Sequence, residues 1–311
     1  MNHEAIVRQI LEKDFGEVPT AVSRMTTGNA NEVYLANLPS RPVIIRLNVD
    51  PAALLGSEKY IPLFRSKGIQ VPDILASDYS KTFVPFAYQI QSKLEGKDLG
   101  DVIASLSHDE LKGVAKEIAS ITKKLSDIPP INGKYGWFGA DEKNVYDSWW
   151  DLLQPRKIIE RNQETGVVGE KYIEAIHRVL NKYRSYFDTV PPIFYYDDMS
   201  SKNVLVHEGK FSGIVDLDTI AQGDPLEGIG RIEASWFGTE YGVTYTNAVE
   251  DALDLNDQQR EMVTVYGLLN RVYWLSENGI QFNQNTSSEV DWEKAEQDKV
   301  VIDDILSKME V

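Results

Sequence analysis

Three polar residues in this chain stand at spacings that suit the transfer of a phosphoryl group. Asp198 is followed five positions later by Asn203, and Asp216 comes thirteen positions after that. Asp216 ends the apolar run Gly213-Ile214-Val215 and precedes Leu217-Asp218, and Gly223-Asp224-Pro225 closes the segment. A loop carboxylate can orient the attacking hydroxyl of an acceptor and take its proton. An Asn and a second Asp on the end of a strand can hold Mg²⁺ against a triphosphate. A hairpin whose Asp and Asn side chains merely make turns would explain each residue singly. It would not explain their spacing together with the closing Gly-Asp-Pro.

The stretch Tyr196-Asp197-Asp198-Met199-Ser200-Ser201-Lys202-Asn203-Val204-Leu205-Val206, with the Asp216 and Gly-Asp-Pro segments, resembles the aminoglycoside phosphotransferase and choline kinase-like family of small-molecule kinases. The resemblance implies a two-lobed, protein-kinase-like α+β fold. The β-rich N-lobe would take residues 1–93, and a larger, mainly helical C-lobe residues 94–311. It implies Mg²⁺ and ATP as cofactors. GTP stays open, because hinge contacts to the base are largely made by backbone. Asp198 becomes the catalytic residue, Asn203 and Asp216 the metal ligands, and Asp218 a support for the metal site. Arg46 stands where the family carries a cation for the α- and β-phosphates, and an Arg, always charged and bidentate, can serve there. Glu58 stands where the family places the acid that pairs with that cation. One departure is plain. The family usually has His-Gly before the catalytic Asp, where this chain has Tyr196-Asp197. That His resembles an orienter of the loop, a role open to the Tyr196 hydroxyl. Asp197 is expected to point away, since two carboxylates in one site raise a pKa.

The elements that must position these residues read as follows. Residues 4–14 form an amphipathic helix. Strands follow at 21–25, 32–36 and 43–47, the last carrying Arg46. The small turn 26–31 between the first two, with Gly28 and Asn31, can bring backbone N–H groups close to phosphates. A helix at 52–67 carries Glu58 and ends at Gly68. An extended segment starts at Val71-Pro72, and a strand runs through 84–92. Lys93-Leu94-Glu95-Gly96-Lys97 resembles the hinge of the family. Ser107-His108-Asp109-Glu110 has the form of a capping box, opening a helix with Leu111, Val114, Ile118, Ile121 and Leu125 on one face. Residues 128–141 are turn-rich, 145–153 and 170–187 read as helices, and 193–216 returns to β. Further helices follow Gly223, including 257–277 and 291–309.

Composition bounds the partners. The 311 residues carry 32 Lys and Arg against 48 Asp and Glu, a net charge of −16. That argues against nucleic acid or an anionic membrane as a partner. It suits a cationic substrate or simply a solvated acidic surface. The chain has no cysteine, which excludes thiolate chemistry and disulfides, and only four scattered histidines. No basic leader and no long apolar run occurs, so a cytoplasmic location is expected.

The acceptor is less legible than the donor. Two segments are candidates: Tyr135-Gly136-Trp137-Phe138-Gly139 with Asp147-Ser148-Trp149-Trp150, and Glu227 to Tyr241. The stretch from Trp137 to Arg156 is loosely similar to the substrate side of fructosamine kinases. Trp149 and Trp236 offer faces for a sugar ring or a quaternary ammonium group, and Glu233 a carboxylate for ammonium or hydroxyl groups. Aromatics at helical spacing also serve as core. The reading is a Mg²⁺–ATP-dependent kinase whose partner is a small hydroxylated molecule: a sugar, amino sugar, amino alcohol or aminoglycoside. The alternative is a non-catalytic nucleotide-binding module of the same fold.

Overall fold

The computed structural model describes residues 2–26, 28, 30–140, 145–283 and 285–309. Helix α1 (His3–Phe15) opens at Asn2, whose side chain accepts the Ala5 N–H, and stops at a left-handed Gly16. There follow β1 (Ala21–Met25), β2 (Glu32–Asn37), β3 (Pro42–Asn48), α2 (Ala52–Ser66), β4 (Ile74–Asp78) and β5 (Ala87–Ser92). The five strands form one antiparallel sheet in the order β1-β2-β3-β5-β4. Side chains alternate along the central strand β3. Val43, Ile45 and Leu47 are buried in a core shared with Ile6, Val7, Ile10 and Leu11 of α1. The opposite face presents Arg46. Helix α2 belongs to a second core instead, through Tyr60, Ile61 and Phe64.

That second, larger core fills the remainder of the chain. Its elements are β6 (Lys97–Asp98), α3 (Leu99–Val102), α4 (His108–Ser126), β7 (Tyr135–Phe138), β8 (Val145–Tyr146), α5 (Trp149–Leu152), α6 (Arg156–Thr165), α7 (Glu170–Lys182) and α8 (Arg184–Phe187). They continue with β9 (Ile193–Tyr195), β10 (Val204–His207), β11 (Lys210–Ile214), β12 (Ile220–Gly223), α9 (Leu226–Trp236), α10 (Glu240–Leu253), α11 (Asp257–Glu277) and α12 (Trp292–Lys308). The capping box at Ser107 and Glu110 is formed in both directions. Two small sheets, ordered β11-β10-β6 and β8-β7-β12-β9, flank the segment between β9 and β10. Glu208 and Gly209 join β10 to β11 with positive φ at both residues, the backbone a two-residue hairpin turn requires.

Three expected elements come out differently. The helix expected at 145–153 is β8 followed by the single turn α5, because Val145 and Tyr146 pair with Gly136 and Tyr135. The turn-rich 128–141 segment contains β7, which its glycines conceal. The helix expected over 170–187 is interrupted at Tyr183, where the backbone leaves helical geometry. Among the described residues, no helix is long and apolar enough to cross a membrane.

Candidate active site

The loop from Tyr196 to Asn203 leaves the end of β9. Tyr196 is buried, and its hydroxyl lies 3.0 Å from both the Val215 and the Asp216 carbonyl oxygens. It thereby ties this loop to the strand end that carries Asp216, the orienting role expected of it. Asp216 has φ +66°. A non-glycine residue there is strained, and the Tyr196 hydroxyl helps to hold it. Asp198 is fixed at both oxygens. The Ser200 hydroxyl donates to one at 2.9 Å. The Asn203 amide donates to the other at 2.8 Å. Its side chain remains 37% exposed, so the carboxylate reaches solvent from a held position.

Asp197, expected to point away from the site, turns into the protein. It is buried and accepts the Trp137 indole N–H at 2.9 Å and an Arg231 guanidinium N–H at 2.5 Å. Burial raises its pKa, and Arg231 opposes that rise. The same guanidinium lies 3.4 Å from Asp198. Trp137 comes to this point because β7 and β9 both pair with β12, opposite Ala221.

A second cluster joins the two cores. Arg46 donates to Asp216 at 2.6 Å and to Asp218 through both terminal nitrogens. Ser57 on α2 donates to Asp218 and accepts from Arg46 at 3.2 Å. Asn31 donates to Asp218 at 3.1 Å and accepts from Asn48. Helix α2 can lie this close only because position 56 is glycine. A Cβ there would stand 1.7 Å from the Asp218 carbonyl oxygen. Burial works against the Arg46 charge, and Asp218 and Asp216 more than restore it, so the guanidinium pKa stands above its ordinary value. Asp216 opens to the cleft with 47% of its side chain exposed. Partial burial and the neighbouring Asp218 and Asp198 carboxylates push its pKa up against the pull of Arg46.

Here the sequence assignments need correction. Glu58 does not hold Arg46. It is exposed and accepts from Ser77 and Tyr79 beside β4. Neighbouring helical residues point about 100° apart, and Gly56 turns Ser57, not Glu58, toward the cleft. The acid that holds Arg46 is Asp218, whose oxygens are taken up by Arg46, Ser57 and Asn31. Asp218 thus serves as a bracket for the cation.

Among the described residues, no three His, Cys, Asp or Glu side chains converge as a preformed metal site. The donor set nevertheless suits Mg²⁺, which takes one or two carboxylates and fills its remaining positions with water and phosphate. Asp216 is open to the cleft, and Asn203 donates its nitrogen to Asp198, so its amide oxygen is the atom that would face a cation. The Gly28 carbonyl accepts from Asn283 and Asn285, so the loop expected near phosphates is tied to the segment after α11. Its neighbours Thr27 and Asn29 lie outside the described residues.

The expected acceptor residues fall elsewhere. Trp149 is 2% exposed, donates to the Tyr266 hydroxyl at 2.7 Å and packs on Gly223, where a Cβ would strike its ring. Trp236 is buried edge-on against Tyr245. Glu233 lies on α9 about 200° around from Arg231 and accepts from Thr264. It lines a separate cavity of about 450 Å³ with Lys182, Tyr183 and Phe237. Two other tryptophans touch the pair beside Asp198: Trp137 donates to Asp197, and Trp274 stacks toward Arg231. The Trp274 ring centre lies 5.9 Å from the Arg231 guanidinium carbon, and both indoles are only partly covered. Trp274 gave no sequence signal, since it sits in an ordinary helical pattern. Ser57 likewise had none.

The sequence profile of the phosphotransferase enzyme family matches residues 21–262. No curated protein matches the chain. Among solved structures, a thermostable mutant of aminoglycoside phosphotransferase APH(4)-Ia, in a ternary complex with AMP-PNP and hygromycin B, superposes with a TM-score of 0.72. Identity is 17%, over 97% of this chain and 98% of that one. Wild-type aminoglycoside 2'-phosphotransferase-IIIa with GDP gives 0.72 at 16% identity over 99% of each chain. A candidate fructosamine-3-kinase from Haemophilus somnus 129PT gives 0.64 at 16% identity over 96% of each. Likeness at such identities speaks for the fold, and the two-lobed, protein-kinase-like α+β arrangement is the one expected from the sequence.

Proposed function

The chain belongs to the phosphotransferase enzyme family and is a small-molecule kinase, and from that premise we propose that it transfers the γ-phosphoryl group of Mg²⁺–ATP to a hydroxyl of a ring-bearing small molecule. The observation that carries this reading is the meeting of Asp198, Asn203 and Asp216 on one bonded loop and strand end. Asp198 orients the acceptor hydroxyl and takes its proton as the new P–O bond forms. Asn203 and Asp216 would hold Mg²⁺, which supplies charge neutralisation at the phosphates. Arg46 offers its guanidinium to the phosphates, with Asp218 and Ser57 keeping it in place. Gly28 and Asn31 line the loop above them. Catalysis here is positioning and neutralisation of charge.

The partly exposed indoles of Trp137 and Trp274, held against Asp197 and Arg231, suit a sugar, amino sugar or aminoglycoside ring better than the buried Trp149 and Trp236 or the remote Glu233. AMP-PNP in one similar structure and GDP in another make both ATP and GTP worth assaying. The non-catalytic alternative rests on Tyr196-Asp197 standing where the family usually has His-Gly; the Arg231 bond to Asp197 supports the catalytic reading over it.

The test is nucleotide-diphosphate release with Mg²⁺–ATP or Mg²⁺–GTP against pooled sugars, amino sugars, fructosamines, amino alcohols and aminoglycosides. Asp198→Asn should lower kcat by about a thousandfold, within the range for a lost general base, while Mg²⁺–nucleotide still raises the melting temperature. Normal turnover in that variant would sink the assignment. Silence in all pools with intact nucleotide binding would favour the non-catalytic module.

A further inference from the structure

The catalytic loop of this chain carries a carboxylate, Asp197, directly before Asp198. Its partner comes from α9. Arg231 reaches Asp197 at 2.5 Å and Asp198 at 3.4 Å, so one fork spans two carboxylates. The guanidinium Nε has no hydrogen-bond partner among the described residues. The two carboxylates therefore decide where this side chain sits. A buried carboxylate without a cation is strongly destabilising, and so is the converse. Asp197 and Arg231 answer each other.

Helix α9 is itself held rigidly. Asp224 caps its start, accepting the Leu226 N–H at 3.1 Å and the hydroxyls of Tyr186 and Tyr266 at 2.7 and 2.8 Å. Gly228 lets the helix touch the loop: a Cβ there would meet the Tyr196 carbonyl oxygen at 3.3 Å. Gly230 lets it touch α11, where a Cβ would meet Tyr266 at 2.5 Å. Glu227, one turn before Arg231, is held by Tyr195 and Asn270. A fixed helix thus delivers a planar, charged fork to one oxygen of Asp198, while Asn203 holds the other.

We propose that Arg231 is a positioning residue that aims Asp198 at the acceptor hydroxyl, and that Asp197 is the counter-charge that lets a buried arginine stand there. The proposal rests on the phosphotransfer reading above. It assigns the Gly-Asp-Pro segment a second duty, as the anchor from which the aim of the carboxylate is set.

The test compares Asp197→Asn, Arg231→Gln, Arg231→Lys and the neutral double variant Asp197→Asn with Arg231→Gln. Each is assayed for kcat and nucleotide KM in the acceptor pool that supports wild-type turnover, and for melting temperature. Arg231→Gln should lower kcat by about a hundredfold, as a misplacement near 1 Å does, with nucleotide KM within about twofold because the nucleotide is held elsewhere. Arg231→Lys should recover part of kcat. The double variant should regain stability but not kcat, and it carries the test if Arg231→Gln alone does not fold. Wild-type kcat in the double variant would overturn the proposal, since the pair would then serve only folding. A silent wild type would overturn the phosphotransfer reading instead, and the two failures are told apart by that control.

Discussion

Two arginines in this protein each span two carboxylates, and they do so under opposite conditions. Arg46 lies on β3 and reaches Asp216 and Asp218, about 170 positions away in the chain. Arg231 lies 34 positions after Asp197, on a helix whose Ile229 and Ile232 share one core with Tyr196 and Met199 of the loop. Asp216 is open to solvent, while Asp197 is buried. On the proposed reading, a metal entering the cleft would meet Asp216, whose side chain is open, and compete with Arg46 for it. Asp197 is covered by Trp137 and Arg231. The first cluster is therefore a joint between sheet and catalytic strand that ligands rearrange. The second is a brace that keeps one carboxylate aimed throughout. The lesson is that identical chemistry, one guanidinium on two carboxylates, becomes a clamp or a strut according to what surrounds it.

The largest effect that would separate the two comes from Gly56→Ala. Its Cβ would meet backbone, not a movable side chain, so α2 or the Asp218 turn must shift, at a cost of about 3 kcal/mol. Thermal melts should show this loss, and Mg²⁺–nucleotide should no longer raise the melting temperature normally. The Asp198–Arg231 brace is untouched by that change. An unaltered nucleotide response would mean that the clamp does not depend on this close approach.

A smaller effect sharpens the clamp. Ser57→Ala removes a hydroxyl bonded to both Asp218 and Arg46. It should raise nucleotide KM by about fivefold, in keeping with the ~1 kcal/mol net worth of one hydrogen bond. Glu58→Ala should leave KM within about twofold. A reversed order would return Glu58 to the role of holding Arg46.

The smallest effect lies on the far side of α9. Burial pushes the Glu233 pKa from 4.5 up to about 7. Below pH 4.5 the folded and unfolded chains both carry the proton. As pH rises from there to 7 the unfolded chain releases it first, so Glu233 takes stability away over that interval. Glu233→Gln should gain on the order of 1 kcal/mol over wild type between pH 5 and pH 8, the shift being discounted for partial hydration. Urea melts at both pH values check it. Turnover should be unchanged, because this face of the helix is turned away from Arg231. A large loss of kcat would show that the two faces are coupled.

How far the chain could be read without its fold follows from the distances involved. Asp198, Ser200 and Asn203 meet within a single loop, so their spacing reports their contact. The hydroxyl of Tyr196 was a legible substitute for an imidazole, because only one polar atom at that depth was needed. Capping at Ser107 and the core stripe after it obey local rules. Trp149 and Trp236 misled because their composition suits both a ligand wall and a core, and only packing against Gly223 and Tyr245 separates the two. Val145 and Tyr146 misled because a two-residue strand exists only through its neighbour.

Covalent spacing carries the pattern from which the phosphotransfer reading starts. An Asp with an Asn five residues on and an Asp at a strand end are local facts of covalent spacing, and the composition excluded thiolate chemistry. The tertiary structure alone decided which charges face each other. Gly56 chose Ser57 over Glu58 by admitting the Asp218 backbone, and Gly228 and Gly230 set α9 where Arg231 could bridge Asp197 and Asp198. Pairing across 34 or 170 positions depends on how closely packed elements approach, and that distance is fixed by the absence of a Cβ on one element and the backbone of another.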